Sequence, residues 1–214
     1  MPHVAVVIGG GPLDPGAVAS LPDDVVVIAA DSGLDHAVES GLAPTLLVGD
    51  LDSISAGGRM WAYAHGVDIR EVSPDKDQTD TELALACALE VPDVQELTVL
   101  GGMGDRLDHL LGTLLALGHP SLAVLMEVTA HIGTTRAAVV HTGRSRIVDI
   151  EIGHTFSVLA LHGPVDGVTV RGGRWGLEDE RLSGTEARGV SNVAEEDAVR
   201  IGSSKGVVTV VVPG

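Results

Sequence analysis

The sequence predicts an α/β protein in which a doubly wound, Rossmann-like parallel-sheet domain is followed by a smaller all-β sandwich domain. Up to about residue 128, short β-branched apolar runs alternate with helical patterns, which is typical of parallel strands joined by helices. Beyond that point, short β-rich runs are separated by Gly, Pro and Asp, and no convincing amphipathic helix remains. We therefore predict two domains, residues 1–128 and 130–214.

The first domain is predicted from six apolar runs with helical segments among them. The predicted strands cover residues 3–8, 25–29, 45–48, 67–72, 96–100 and 122–126. Helices are predicted from Leu34 to Gly41 and over residues 56–64, 81–89 and 107–117. In the second domain, strands are predicted over residues 137–141, 146–150, 155–161 and 207–212.

The composition is that of an acidic, globular protein. The 214 residues are 44% hydrophobic and only 2% aromatic, so the core must be built mainly from aliphatic side chains. The formal net charge of −17, with no visible basic stripe, argues against nucleic-acid binding, which depends on clustered Lys and Arg. Cys87 is the single cysteine and permits no intrachain disulfide, and the apolar run Val4–Ile8 is too short to span a membrane. We expect a cytoplasmic protein without a membrane partner.

Three acidic clusters follow predicted strands of the first domain, at residues 49–53, 75–82 and 101–109. Ligands bind beyond the carboxyl ends of the strands in such sheets, and carboxylate oxygens are the ligands that Mg²⁺ prefers. We therefore predict a Mg²⁺ site near Asp50, Asp52 and Asp80. Lys76 and Arg106 are the cations nearest to these clusters, and they could bind phosphate oxygens.

Purely structural roles are open for several of these residues. Asp50 and Asp52 could form an ordinary turn, since Gly, Asp and Ser dominate turns. Asp77 and Asp80 could complement the macrodipole of the following helix. Asp108 and His109 could bind a ribose or an adenine edge, or they could cap the helix that begins beside them.

Two glycine-containing segments do not match the functional motifs that they resemble. The segment Gly9–Pro12 is not followed by Gly-Lys-Ser/Thr, so it is no Walker A loop, although its amides could approach a ligand. Residues 202–206 match Gly-x-Ser-x-Gly, but no His follows Ser204, so we predict a hairpin turn there instead of a nucleophile elbow. The nine His residues contain no His-Glu-x-x-His, and zinc is unsupported.

The clusters together resemble the signature motifs of bacterial thiamin pyrophosphokinases. The resemblance lies in Gly-Asp-Leu-Asp-Ser at 49–53, Lys-Asp-Gln-Thr-Asp-Thr-Glu-Leu at 76–83 and Arg-Leu-Asp-His at 106–109, and it continues at 172–177 and 189–192. It implies an ATP- and Mg²⁺-binding catalytic domain, a thiamin-binding β-sandwich and a homodimer. The implied reaction transfers pyrophosphate from ATP to the thiamin hydroxyl, giving thiamin diphosphate and AMP.

The resemblance also implies roles for individual residues. The implied catalytic residues are Asp50, Asp52, Asp77 and Asp80, and the implied Mg²⁺ ligands are Asp50, Asp52 and Asp80. The implied ATP-binding residues are Asp31, Ser53, Lys76, Gln78, Thr79, Arg106, Asp108 and His109. The implied thiamin-binding residues are Trp175, Ser191 and Asn192, with Trp175 stacked on a heteroaromatic ring. Among the aspartates, Asp80 is our preferred candidate for the base that accepts the hydroxyl proton.

One position departs from the family pattern, and two other functions stay open. The family usually carries Asn seven residues after the motif Arg106, but Thr113 stands there and lacks an amide donor. The chain could instead be a pyrophosphokinase for another heterocyclic alcohol, such as a hydroxymethylpterin. It could also bind Mg-nucleotide or thiamin diphosphate without turnover, and Trp175 could simply fill the core of the β-domain.

Overall fold

The computed structural model describes all residues, Met1–Gly214, and they form two compact units. The first comprises Met1–Ala116 with Ala130–Gly133, and the second comprises Leu117–Thr129 with Thr134–Gly214. The domain boundary expected at residues 128–130 therefore falls within a strand, Glu127–Ile132.

Five parallel strands form the sheet of the first unit, in the order β5-β1-β2-β3-β4. These strands are β1 (His3–Val7), β2 (Val26–Ala30), β3 (Leu46–Gly49), β4 (Asp68–Glu71) and β5 (Glu96–Leu100). The helices are α1 (Pro15–Ala19), α2 (Gly33–Glu39), α3 (Ala56–His65), α4 (Asp80–Ala88) and α5 (Leu107–Ala116). The predicted α/β architecture is confirmed, but this strand order differs from the Rossmann order 3-2-1-4-5-6. The strands β2, β3 and β4 are added in turn on one side of β1, and β5 then lies on its other side. The carboxyl ends of β1 and β5 therefore form a topological switch point.

Helices cover both faces of this sheet. One apolar cluster joins α1 and α2 to Ala5, Val7 and Val27, and a second joins α2 and α3 to Ala29 and Leu47. Helix α4 packs on β1, β2 and β3 and against α5. Since the winding reverses after β4, right-handed crossovers place α4 on the face opposite α1–α3. None of the helices has the length and apolar character needed to span a membrane.

A capping box starts α4. The Thr79 hydroxyl oxygen accepts a hydrogen bond from the Glu82 amide at 3.2 Å, and the Glu82 carboxylate accepts one from the Thr79 amide at 2.8 Å. Each side chain therefore satisfies an amide that the helix leaves without a partner.

Replacing Thr79 with Ala should lower the free energy of unfolding by about 1 kcal/mol, because the Glu82 amide loses its acceptor. Urea denaturation followed by circular dichroism measures this change. Thr79→Ser is the matched control, since it keeps the hydroxyl and should stay close to the wild type. Equal stability of the Ala and Ser variants would contradict the assigned cap.

The second unit contains two antiparallel sheets, ordered β12-β9-β14-β7 and β11-β10-β13-β8. Its strands are β7 (Thr135–Val140), β8 (Ser145–Asp149), β9 (Thr155–Leu159), β10 (Val165–Arg171), β11 (Leu177–Leu182), β12 (Asn192–Val193), β13 (Ala198–Gly202) and β14 (Val208–Val212). The strand β6 (Glu127–Ile132) is divided between the two units. Apolar residues from both sheets form one core that includes the fully buried Phe156.

Two predicted elements of local structure are wrong. The strand expected at residues 122–126 is replaced by a 3₁₀ helix, Pro120–Val124, which Pro120 favours at its first position and His119 caps by accepting a hydrogen bond from an amide. The hairpin expected at residues 202–206 is also absent, because β13 and β14 belong to different sheets. The loop crosses between the sheets, and Ser204 Oγ donates to the Asp166 carbonyl at 3.0 Å.

Candidate functional site

Three aspartates meet beyond the carboxyl ends of β2 and β3. Asp31 directly follows β2, whereas Asp50 and Asp52 follow β3. One carboxylate oxygen of each lies within 4.8 Å of the other two, and Asp31 Oδ1 is buried without a hydrogen-bond partner. Three clustered carboxylate oxygens fit the donor set of a hard divalent cation such as Mg²⁺.

The backbone around this cluster adopts conformations that few residues tolerate. Gly49 has a φ of 151°, and a Cβ there would lie 3.1 Å from Asp31 Cβ and 3.3 Å from Asp80 Cγ. Asp31 and Leu51 have φ values of 47° and 62°, in the left-handed region that side chains disfavour. Only Gly at position 49 lets β3 end this close to both neighbouring carboxylates.

Lys76 connects the cluster to the start of α4. Its Nζ lies 3.0 Å from Asp80 Oδ1 and 3.5 Å from Asp50 Oδ2. Burial opposes the charged ammonium, but the hydrogen bond and the charge of Asp80 outweigh it and raise the pKa of Lys76. Lys76 therefore stays protonated between the two carboxylates and offers positive charge to an anionic ligand.

The carboxylates of Asp50 and Asp52 respond differently to their surroundings. Burial favours the neutral form of Asp50, but the Asp52 amide and the Lys76 ammonium prevail and lower the pKa of Asp50. The negative charge of Asp50 raises the pKa of Asp52. Like-charge repulsion of this kind is relieved when a cation binds between the carboxylates.

Ser53 and Asp80 take different positions relative to the aspartate cluster. Ser53 Oγ donates a hydrogen bond to Asp31 Oδ2, so Ser53 belongs to the cluster. Asp80 was predicted as a Mg²⁺ ligand, yet the group of three includes Asp31 and not Asp80, whose carboxylate pairs with Lys76. Asp77 and Gln78 have exposed side chains in the turn before α4.

The third predicted cluster lies at the start of α5. Arg106 makes a bidentate pair with Asp108, with Nε at 2.9 Å and Nη2 at 2.6 Å from the carboxylate oxygens. Hydrogen bonding by the Arg106 guanidinium holds the pKa of Asp108 well below its usual range. Both side chains and that of His109 are exposed, and no hydrogen bond or ion pair joins them to the three aspartates. Thr113, in contrast, is buried within α5.

Two glycine-rich loops touch at the switch point between β1 and β5. The Gly102 amide donates to the Gly9 carbonyl at 2.9 Å, and a Cβ on Gly10 would lie 3.0 Å from Gly102 Cα. The two loops can approach this closely only because these positions carry no side chain. The glycines after β1 therefore have a packing role.

The second unit carries an open groove with a volume of about 650 Å³. Trp175 lies on it with 57% of its surface exposed, which contradicts the alternative that it fills the core. The guanidinium carbon of Arg174 lies 5.7 Å from the centre of the Trp175 ring. The lining consists of Val158, Val170, Arg174, Trp175, Gly176, Leu177, Arg188, Gly189, Val190, Ser191 and Asn192. An exposed indole in a groove lined by both apolar and polar side chains can stack on a flat heteroaromatic ligand.

Asn192 fixes the backbone that presents Trp175. Its Nδ2 donates to the Trp175 carbonyl at 2.8 Å, and its Oδ1 accepts from the Trp175 amide at 3.1 Å. Ser191 is exposed, has a φ of 63° and donates through its amide to Ser157 Oγ. The structure thus brings together all three predicted thiamin-binding residues, although the Asn192 amide is already engaged with protein groups.

The sequence analysis assigned no binding role to several residues of the groove, among them Arg188, Leu177 and Val190, although the last two lie in segments that carry the family resemblance. No spacing rule links them, because β10, β11 and the loop before β12 meet only through sheet pairing. The glycine at position 189 is the one feature of the sequence that could have indicated this groove. A Cβ there would lie 1.9 Å from the Val158 carbonyl oxygen, so the position requires glycine.

Family models match both parts of the chain. The model for "Thiamin pyrophosphokinase, catalytic domain" matches residues 20–126, and the model for "Thiamin pyrophosphokinase, vitamin B1 binding domain" matches residues 144–208. The chain belongs to the thiamin pyrophosphokinase family. The first match contains the three aspartates, and the second contains the groove with Trp175, so both candidate sites fall within parts that the thiamin pyrophosphokinase family shares.

Two curated relatives carry the same family name. Thiamine pyrophosphokinase 1 of Oryza sativa subsp. japonica is 25% identical over 170 residues, which cover 77% of this chain and 64% of that protein. Thiamine pyrophosphokinase of Bacillus subtilis (strain 168) is 32% identical over 111 residues, which cover 50% of this chain and 51% of that protein. The chain thus spans about half to two thirds of the length of the curated relatives it matches.

Solved structures of thiamin pyrophosphokinases show the same fold. The Bacillus subtilis structure has a TM-score of 0.82 at 22% identity and covers 99% of this chain and 98% of that chain. The structure of a thiamin pyrophosphokinase family protein from Enterococcus faecalis has a TM-score of 0.78 at 26% identity. It covers 100% of this chain and 99% of that chain. The Candida albicans structure has a TM-score of 0.80 at 14% identity and covers 99% of this chain and 90% of that chain.

Proposed function

We propose that this protein transfers a pyrophosphoryl group from ATP to the hydroxyl of thiamin, giving thiamin diphosphate and AMP in a Mg²⁺-dependent reaction. The observation that carries the proposal is the convergence of Asp31, Asp50 and Asp52 beside Lys76 at the carboxyl ends of β2 and β3. A polyphosphate on a protein with a net charge of −17 needs carboxylates that can hold a cation and a nearby ammonium, and both are present here.

The proposed chemistry depends mainly on positioning. Mg²⁺ held by Asp31, Asp50 and Asp52 would supply positive charge to the phosphate oxygens on either side of the bond that breaks. Lys76 would neutralise charge that spreads over the transferred group, and Asp80 is the proposed acceptor of the thiamin hydroxyl proton. Attack at the β-phosphorus releases AMP and forms the new bond to the thiamin oxygen.

The remaining predicted residues complete the proposed binding sites. Arg106 and His109 would contact ATP from the start of α5, where their side chains are exposed. Trp175 would stack on a thiamin ring in the groove of the second unit. A homodimer belongs to the proposal as well, and light scattering of the purified protein measures its mass.

The reaction is tested by incubating the protein with ATP, Mg²⁺ and thiamin, and by following AMP and thiamin diphosphate by chromatography. A parallel sample contains hydroxymethylpterin in place of thiamin. AMP and thiamin diphosphate formed together, and only with Mg²⁺, support the proposal. AMP formed only in the sample with the pterin would indicate a pyrophosphokinase that acts on another heterocyclic alcohol. ATP binding without AMP in either sample favours a non-catalytic binding protein.

Replacing Trp175 with Ala should raise the KM for thiamin about tenfold, since aromatic stacking on a heterocycle contributes about 1–3 kcal/mol. The KM for ATP should change little, because Trp175 lies in the groove and not in the aspartate cluster. Steady-state kinetics with each substrate varied in turn measure both constants. Trp175→Phe keeps a stacking ring and is the matched control. A thiamin KM that is unchanged in the Ala variant would remove Trp175 from the proposed site.

A further inference from the structure

The loop between β3 and α3 is held by contacts that the proposed roles do not use. Ser55, the N-cap of α3, donates through its amide and hydroxyl to the Asp35 carboxylate at 2.8 and 2.6 Å. Arg59, in the first turns of α3, donates through Nη2 to the Leu51 carbonyl at 2.6 Å. The loop that carries the two aspartates is therefore tied to α3 at Leu51 and to α2 at Ser55.

Leu51 is the residue on which the shape of this loop depends. It stands between Asp50 and Asp52, and its φ of 62° is unfavourable for a side chain that has a Cβ. Its side chain is 3% exposed and packs with Leu34 and Leu47, so burial fixes one side of the residue. The Arg59 hydrogen bond fixes the other side, at the carbonyl.

We propose that Arg59 is a positioning residue that acts through the Leu51 carbonyl to hold Asp50 and Asp52 where both reach one divalent cation. This inference rests on the proposed function only in its assumption that the aspartate cluster binds such a cation. Because that binding can be measured without ATP or thiamin, the inference and the proposed reaction are tested separately.

The direction in which cation affinity changes when Arg59 is replaced distinguishes a positioning role from an effect of its charge. Arg59 is a cation near a cation site, so its positive charge alone opposes cation binding. If charge were its only influence, a neutral residue at position 59 would tighten binding. If Arg59 positions the loop, the same substitution weakens cation binding, because Asp50 and Asp52 are no longer held where both reach the same cation.

The experiment uses Mn²⁺ as the probe and titrates it into the full chain, with free Mn²⁺ followed by electron paramagnetic resonance. Arg59→Met should raise the Kd for Mn²⁺ about 10- to 100-fold, which is typical when a partner that orients metal ligands is lost. Arg59→Lys keeps a donor and should restore part of the affinity. Arg200→Met removes an exposed Arg from β13 and should match the wild type.

An Mn²⁺ Kd for Arg59→Met that equals the wild-type value, or lies below it, overturns the inference. A wild-type protein that binds no Mn²⁺ overturns it as well. Circular dichroism and the Tm confirm that each variant is folded, and Arg59→Gln, which keeps a donor amide, is used if the Met variant does not fold. A protein that binds Mn²⁺ as expected but forms no AMP would refute the proposed reaction and leave the role of Arg59 supported.

Discussion

Replacing Asp50 with Asn should reduce the rate of thiamin diphosphate formation about 100-fold or more while the fold persists. Asp50 supplies one of the three clustered oxygens and also pairs with Lys76. The amide keeps the shape of the side chain but removes the charge that both the cation and Lys76 require. Loss of one group that stabilises developing charge typically costs a factor of 10² to 10³ in rate. Initial rates of AMP formation over a range of Mg²⁺ concentrations measure the change.

The matched control for this variant is Asp24→Asn, which removes the same charge from an exposed position before β2. It should retain the rate of the wild type, and circular dichroism should show that both variants are folded. Near-normal turnover in the Asp50 variant at low Mg²⁺ would rule out the assigned cation site. Equal losses in both variants would point to the total charge of the protein instead of this carboxylate.

Replacing Phe156 with Ala should lower the free energy of unfolding by about 3–5 kcal/mol, the usual cost of removing a large aromatic side chain from a core. Phe156 is the only phenylalanine in the chain and is fully buried between the sheets of the second unit. A Cβ on Gly173 would lie 2.8 Å from its ring, so Phe156 packs directly below the segment that leads to Trp175. Removing the ring should therefore loosen the groove as well as the core.

Urea denaturation followed by circular dichroism measures the loss of stability. Phe156→Leu is the matched control, because it keeps most of the apolar volume and should cost much less than Ala. The KM for thiamin should rise in the Ala variant and stay close to the wild-type value in the Leu variant. A loss below about 1 kcal/mol for Ala would mean that the two sheets close over the cavity.

The sequence was sufficient to predict where the catalytic chemistry should be sought. Asp31, Asp50 and Asp52 each follow an apolar run, and parallel strands all end at the same edge of a sheet. Which carboxylates share one point could not be predicted, since this depends on the backbone angles of Gly49 and Leu51. Asp80 was predicted as a cation ligand, and in the structure its carboxylate lies 3.0 Å from Lys76 Nζ, so its ligand role stays a prediction.

The second unit was harder to predict, because its strands pair across long separations in the chain. A hairpin turn was predicted at residues 202–206, but the strands on either side of this loop join different sheets. The role of Asn192 was equally hidden, since its amide bonds with the backbone of Trp175, which lies 17 residues earlier in the chain. Composition and motif spacing carry no information about such contacts.

The scarcity of aromatic residues gives the protein a useful optical property. Its two tryptophans are Trp61, which stacks on His65 with ring centres 4.1 Å apart, and Trp175, which lies exposed in the groove. Replacing Trp61 with Phe would leave a single indole whose fluorescence comes only from the groove. The emission of that one residue would then report occupancy of the groove in real time, without any attached dye.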